Sequence, residues 1–254
     1  MLRQSGQRNN GKPRRERGSV GAMSSQVVPV LPARREVHQA DAIAWLGGQE
    51  RLVGASVVTS LPDVSELPAL GFEGWLRWFE DAAALTMSRV PDDGVAVFFQ
   101  SDIKHGGAWI DKATLVARGA ERAGMRLAFH TIVCRHPPGT LTFGRASYSP
   151  LVGYAWPTHQ PGPARATADV IADAGFTPGR KAMGVNAVVE ACRFILAETP
   201  TRTVVDPFCG WGTVLAVANA MGLAAIGVDL STRMCRRART LVIELPGSPG
   251  RQDR

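Results

Sequence analysis

The stretch VVDPFCGWGTVLAVANAMGLAAIGVDLS, residues 204–231, lies near the end of a 254-residue chain and limits its fold more than any other segment. Thr203, Val204 and Val205 are β-branched, and the run stops at Asp206-Pro207. That pattern predicts a buried parallel strand ending in a turn. Gly210 and Gly212 flank Trp211, which lets the backbone pass close to a ligand. From Thr213 an apolar pattern at helical spacing runs through Leu215, Val217, Ala218 and Met221, and Gly222 ends it. A second strand, Ala225–Val228, leads to Asp229, a carboxylate placed where a doubly wound sheet presents one to a ribose hydroxyl pair. The unit reads as a nucleoside-binding βαβ. Such a unit usually opens a domain, and here it closes the chain.

Two cofactors compete for this unit. A dinucleotide fingerprint needs Gly-x-Gly-x-x-Gly/Ala, and counting from Gly210 the last position is Leu215, which weakens a nicotinamide reading. Asp206 at the first strand end suits a cationic ligand such as S-adenosylmethionine, whose sulfonium and ammonium a bare helix N-terminus would repel. An ordinary βα turn without ligand is the bland alternative for a lone G-x-G. The full Asp-Pro-Phe-Cys-Gly-x-Gly-Thr with a matched Gly-Val-Asp is more specific.

DPFCGWGTVLAVANAMGLAAIGVDLSTRMCRRAR resembles the D-P-F-x-G-x-G-T segment and following acidic strand end of the amino-methyltransferases of DNA and RNA, the N4/N6 DNA methylases and their relatives. In the β-class of that family, which resembles a circular permutation, the catalytic half precedes the cofactor loop. The resemblance therefore implies an α/β fold, a Rossmann-like doubly wound methyltransferase sheet with circularly permuted motif order, and accounts for the late glycine loop. It covers residues 35–243. It implies S-adenosyl-L-methionine as cofactor, held by Asp41 (in EVHQADAIAWL), Asn186 (in GRKAMGVNAVVEACRFIL, expected to be one helix), Asp206, Phe208, Gly210, Gly212, Thr213 and Asp229.

GASVVTSLPD is an apolar strand broken at Pro62, in the place of the family's [DNS]-P-P-[YFW] motif. There the first polar side chain and the next backbone carbonyl accept from the target amino group, and the aromatic stacks on the flipped base. Ser60 and Pro62 fit, Leu61 replaces a proline, and Asp63 stands where the aromatic is expected. The resemblance thus assigns catalysis to Ser60, Pro62 and Asp63. In place of an adenine or cytosine amino target, a carboxylate at Asp63 can pair with the donor edge of guanine or serve as base for a ring nitrogen; alternatively Asp63 caps a helix, with Glu66 completing a D-x-x-E box. Phe143 or Tyr148, in the Gly-rich segment HPPGTLTFGRASYS, offers either a substitute stacking surface or plain packing.

The chain is large enough for one core, with 45% apolar residues. We divide it into a disordered basic tail (1–25), a methyltransferase domain (26–245) and a short disordered tail (246–254), with Met23 as an alternative start. Of the net charge of +7, residues 1–25 carry Arg3, Arg8, Lys12, Arg14, Arg15 and Arg17 against Glu16, and the rest is nearly neutral. Such a tail cannot repay its ordering entropy and can grip phosphate. No apolar run reaches membrane-spanning length, and the four cysteines form no CxxC pair, so a reducing cytoplasm without membrane attachment is expected. No metal cluster is expected.

Residues 157–178 are short for the target-recognition region that the resemblance implies in a sequence-specific DNA enzyme. The expected activity is methyl transfer to a nucleobase nitrogen of nucleic acid, RNA slightly ahead of DNA, with a protein partner as one route to target choice. The rival readings are an inactive methyltransferase-fold nucleic-acid-binding or scaffold subunit, and a small-molecule methyltransferase.

Overall fold

The computed structural model describes residues 34–159, 168–179 and 181–245; both expected tails lie outside them. In chain order the elements are β1 (Arg35–Gln39), α1 (Ala42–Gly47), β2 (Ala55–Thr59), α2 (Gly71–Ser88), β3 (Val95–Phe99), β4 (Ile103–His105), β5 (Ala108–Ile110) and α3 (Lys112–Ala123). There follow β6 (Arg126–Cys134), β7 (Tyr148–Ala155), β8 (Val170–Ile171), α4 (Val185–Glu198), β9 (Thr203–Asp206), α5 (Thr213–Ala220), β10 (Ala224–Asp229) and α6 (Thr232–Thr240).

Eight strands form one sheet in the order β1-β10-β9-β2-β3-β7-β6-β8. Neighbours from β1 to β3 are parallel, and β7 runs antiparallel to both β3 and β6. The central strands read as continuous apolar runs because both faces are covered: every residue of β2 and β3 is buried. On one face Val188, Ala191 and Ile195 of α4 pack with Val214 and Val217 of α5 and with Cys235 and Ala238 of α6. On the other, Trp75, Phe79 and Ala83 of α2 pack with Leu115 and Val116 of α3. Backbone closeness between these two helices requires Gly119, where an added Cβ would lie 2.7 Å from that of Ala83.

The last two strands of the chain lie between the first two. β9 pairs with β2 on one side and β10 on the other, and β10 pairs with β1. Both ends of the sequence domain therefore build the same half of the sheet. The helix expected over residues 179–196 is shorter: α4 begins at Val185, with Gly184 as its N-cap in extended conformation. Residues 181–184 precede the helix, and a Cβ at Gly184 would strike the Ala174 carbonyl at 2.2 Å. A two-stranded hairpin, β4–β5, follows β3. No described helix is long and apolar enough to cross a membrane, and no described cluster of His, Cys, Asp and Glu could hold a metal ion.

Candidate active site

In an open doubly wound sheet the crevice lies at the carboxyl ends of neighbouring strands whose connections leave in opposite directions. Here those strands are β9, followed by α5 on one face, and β2, followed by α2 on the other. Asp206 ends β9, and the Thr59 hydroxyl at the end of β2 donates to its Oδ1 at 2.7 Å. The Phe208 N–H donates to the same oxygen at 3.2 Å. Asp206 is 1% exposed. Burial pushes its carboxyl up to about 7, nearby Asp229 adds to the rise, and the two hydrogen bonds oppose it.

The turn after β9 is shaped by two glycines in the left-handed region. Gly210 has φ +47 and donates its N–H to Asp229 Oδ2 at 3.0 Å. The other oxygen, Asp229 Oδ1, accepts from Ser231 N at 2.7 Å. Gly212 has φ +81, and a Cβ there would come within 2.6 Å of Ala238 Cα, so its absence lets α6 lie against the turn. Asp41 caps α1, accepting from Ala44 N at 2.8 Å.

These groups line a cleft of about 840 Å³, whose walls include Asp41, Ser60, Pro62, Asp206, Phe208, Gly210, Thr213 and Asp229. The buried Thr213 hydroxyl has no hydrogen-bond partner among the described residues, which marks the wall as built for a polar ligand. Two carboxylates, an orphaned hydroxyl and an aromatic wall fit a nucleoside carrying a cationic group, as S-adenosylmethionine does. Arg237 lies over the Trp211 ring, 4.0 Å from its centroid, and holds the outer face of the turn.

A second pocket, of about 180 Å³, shares Ser60, Leu61, Glu66, Arg145, Lys181, Ala182 and Met183 with the first. Its wall includes Asp63, Gln100, Asp102, Lys112, Arg135 and Arg145. Lys112 is 4% exposed and its Nζ lies 3.8 Å from Asp63 Oδ2. Burial lowers the Lys112 ammonium from its ordinary value, and Asp63, Glu66 and Asp102 act against that. Asp102 is raised, first by burial, while the Lys112 N–H donates to its Oδ1 at 3.1 Å. Arg135 is lowered by burial and by repulsion from Arg145; among the described residues neither arginine makes a salt bridge.

Of the residues expected at the site, Asp41, Ser60, Pro62, Asp206, Phe208, Gly210, Thr213 and Asp229 come together. Gly212 shapes the turn from behind. Asn186 is not brought there: it sits in the first turn of α4 and its Nδ2 donates to the Asp173 carbonyl at 3.0 Å. Asp63 faces the smaller pocket, and its N–H donates to Glu66 Oε2 at 2.9 Å at a 3-10 turn. The Pro62 carbonyl is taken by the Trp75 indole N–H at 3.1 Å. Phe143 is 98% exposed, away from the core. Lys112 was missed by sequence reasoning; a lysine beside the Asp111 helix cap looks like any solvated first-turn residue, and only the fold reveals its burial.

No protein-family model and no curated protein sequence matches the chain. Solved structures do. A candidate DNA modification methylase of Thermus thermophilus, TTHA0409, superposes with TM-score 0.63 at 19% identity, covering 81% of this chain and 92% of that one. The complex of M1.HpyAVI with S-adenosylmethionine gives TM-score 0.56 at 16% identity over 81% and 98%. The PvuII cytosine-N4-specific DNA methyltransferase gives 0.59 at 16% identity over 84% and 88%. By strand order, switch point and these superpositions, the chain has the Rossmann-like, doubly wound fold of the DNA amino-methyltransferases.

Proposed function

We propose that the protein is an S-adenosylmethionine-dependent methyltransferase that acts on an amino nitrogen of a base in DNA. The observation that carries this reading is the shared wall of the two pockets: the carboxylate-lined cleft and the cation-rimmed pocket adjoin along a wall that includes Ser60, Leu61, Arg145 and Lys181. S-adenosylmethionine, when bound, supplies a methyl group on a sulfonium. Asp229 accepts hydrogen bonds from the ribose hydroxyls, Asp206 offsets the cationic end, and the Thr213 hydroxyl gains the partner that it lacks. Ser60 and the Leu61 carbonyl orient the acceptor amino group at the strand end. In-line displacement requires no covalent enzyme intermediate, so positioning carries the rate.

Arg135 and Arg145 support a polyanionic acceptor: two cations that repel each other at a pocket mouth are stabilised by a phosphate between them. The sequence leaned towards RNA; the neighbours named above are DNA methylases, and we take DNA. Asp63 is engaged with Lys112, which favours a role in shaping the acceptor pocket over that of a free base. With only residues 157–178 available for target reading, a protein partner or DNA shape supplies the rest of the specificity.

Labelled methyl transfer to duplex DNA, single-stranded DNA and total RNA, followed by nucleoside mass spectrometry, tests this. N4-methylcytosine or N6-methyladenine in DNA is the expected product. Label in RNA alone would overturn the acceptor, and cofactor binding without transfer to any of them would favour the scaffold reading.

A further inference from the structure

Gln100 follows β3, next to the end of β2 in the sheet, and is 1% exposed. Its backbone N–H donates to the Pro150 carbonyl at 3.0 Å. Its side-chain Nε2 has no hydrogen-bond partner among the described residues. Leaving a buried amide donor unmade is costly, and a leucine of similar size would avoid that cost. The side chain lines the smaller pocket, opposite Ser60 and Leu61. Nothing in the proposed transfer step uses it.

The pocket's dimensions limit what can satisfy that donor. At about 180 Å³ it has room for one flat heterocycle. Its mouth carries Arg135, Arg145 and Lys181, all exposed, where the phosphates of a flipped nucleotide would pass. Its depth carries Gln100, Asp102 and Lys112, all buried. A group entering from the mouth therefore meets cations first and the amide last.

We propose that Gln100 is a specificity-determining residue: its amide N–H donates to the ring-nitrogen acceptor beside the methylated amino group of the target base, N3 of cytosine or N1 of adenine. The inference rests on the acceptor reading above. The donor selects bases with an acceptor at that edge, because an analogue with C–H there leaves the amide unpaired again. It also orients the amino group towards the cofactor cleft across Ser60.

The test uses the full chain and two substitutions. Gln100→Leu removes the donor, and Gln100→Glu keeps the shape but offers an acceptor in its place. In Gln100→Leu the melting temperature should equal or exceed that of wild type, since an orphaned buried donor is gone, and S-adenosylmethionine affinity should be unchanged. With DNA oligonucleotides, KM should rise about tenfold in Gln100→Leu and at least as much in Gln100→Glu. Wild type should discriminate against oligonucleotides carrying 3-deazacytosine or 1-deazaadenine at the target, and Gln100→Leu should not. A lower melting temperature in Gln100→Leu overturns the inference whether or not DNA is methylated. Discrimination retained by Gln100→Leu also overturns it. Absence of DNA methylation by wild type overturns the function reading instead, and the melting comparison still decides the state of Gln100.

Discussion

At the ends of β9 and β10, Asp206 and Asp229 are held by a hydroxyl and by backbone N–H groups from residues close by in the sheet. In the acceptor pocket, Asp63 instead faces a buried ammonium from α3, Lys112, at 3.8 Å. The first arrangement is made of backbone geometry and needs glycine; the second depends on two side-chain charges that are costly to bury and rely on each other. The cofactor half should therefore fail through the chain's conformation, and the acceptor half through its charge.

The largest effect expected is from breaking the conformational half. Gly212→Val places a β-branched residue at φ +81, with its Cβ 2.6 Å from Ala238 Cα. Backbone strain and overpacking together should destabilise the protein by about 2–4 kcal/mol in urea unfolding. A smaller loss would mean that α6 can move off the turn.

Breaking the charged half should cost less. Asp63→Ala leaves the Lys112 ammonium, 4% exposed, without its nearest carboxylate. Destabilisation of about 1–3 kcal/mol is expected, below the full cost of splitting a buried pair because Glu66 and Asp102 remain close enough to act on it. Asp63→Asn, which keeps the shape, should lie between that variant and wild type. Both should bind S-adenosylmethionine as wild type does while losing most methyl transfer. Cofactor affinity that falls with Asp63 would erase the separation of the two halves.

The same contrast explains what could be read beforehand. Asp206, Phe208, Gly210, Thr213 and Asp229 act within two strands and one turn, so their spacing carried the geometry. Ser60 and Pro62 were legible because the strand end and the proline mark the place. The Asp63–Lys112 pair was not, since residues remote in sequence meet only when α3 is laid on the sheet. Asn186 failed for a related reason: α4 starts at Val185, and its first turn faces the Asp173 carbonyl and not the cleft. Gln100 is legible as a polar residue after an apolar run, but its unpaired amide is a property of its neighbours.

Titration of Asp206 sharpens the comparison by a smaller margin. Its native carboxyl, at about 7, lies above the ordinary 3.8, so the folded state holds the proton more tightly than the unfolded chain. The stability that this confers is present below pH 4 and is lost as pH rises to 7. A cation bound beside it favours the ionised form. S-adenosylmethionine affinity should therefore strengthen as pH rises through about 7, by at most tenfold per unit on the acid side, with proton release seen in calorimetry. In Asp206→Asn that pH dependence should vanish, and its persistence would place the titrating group elsewhere.

Calorimetric titration of S-adenosylmethionine into wild type and Asp229→Ala tests most directly the claim that the cleft at the ends of β9 and β10 is a cofactor site. The account predicts saturable binding at one site per chain, weakened by about 1–3 kcal/mol in Asp229→Ala through loss of the ribose hydrogen bonds and of the acceptor for Gly210 N. No binding to wild type, or unchanged affinity in a folded Asp229→Ala, would contradict it.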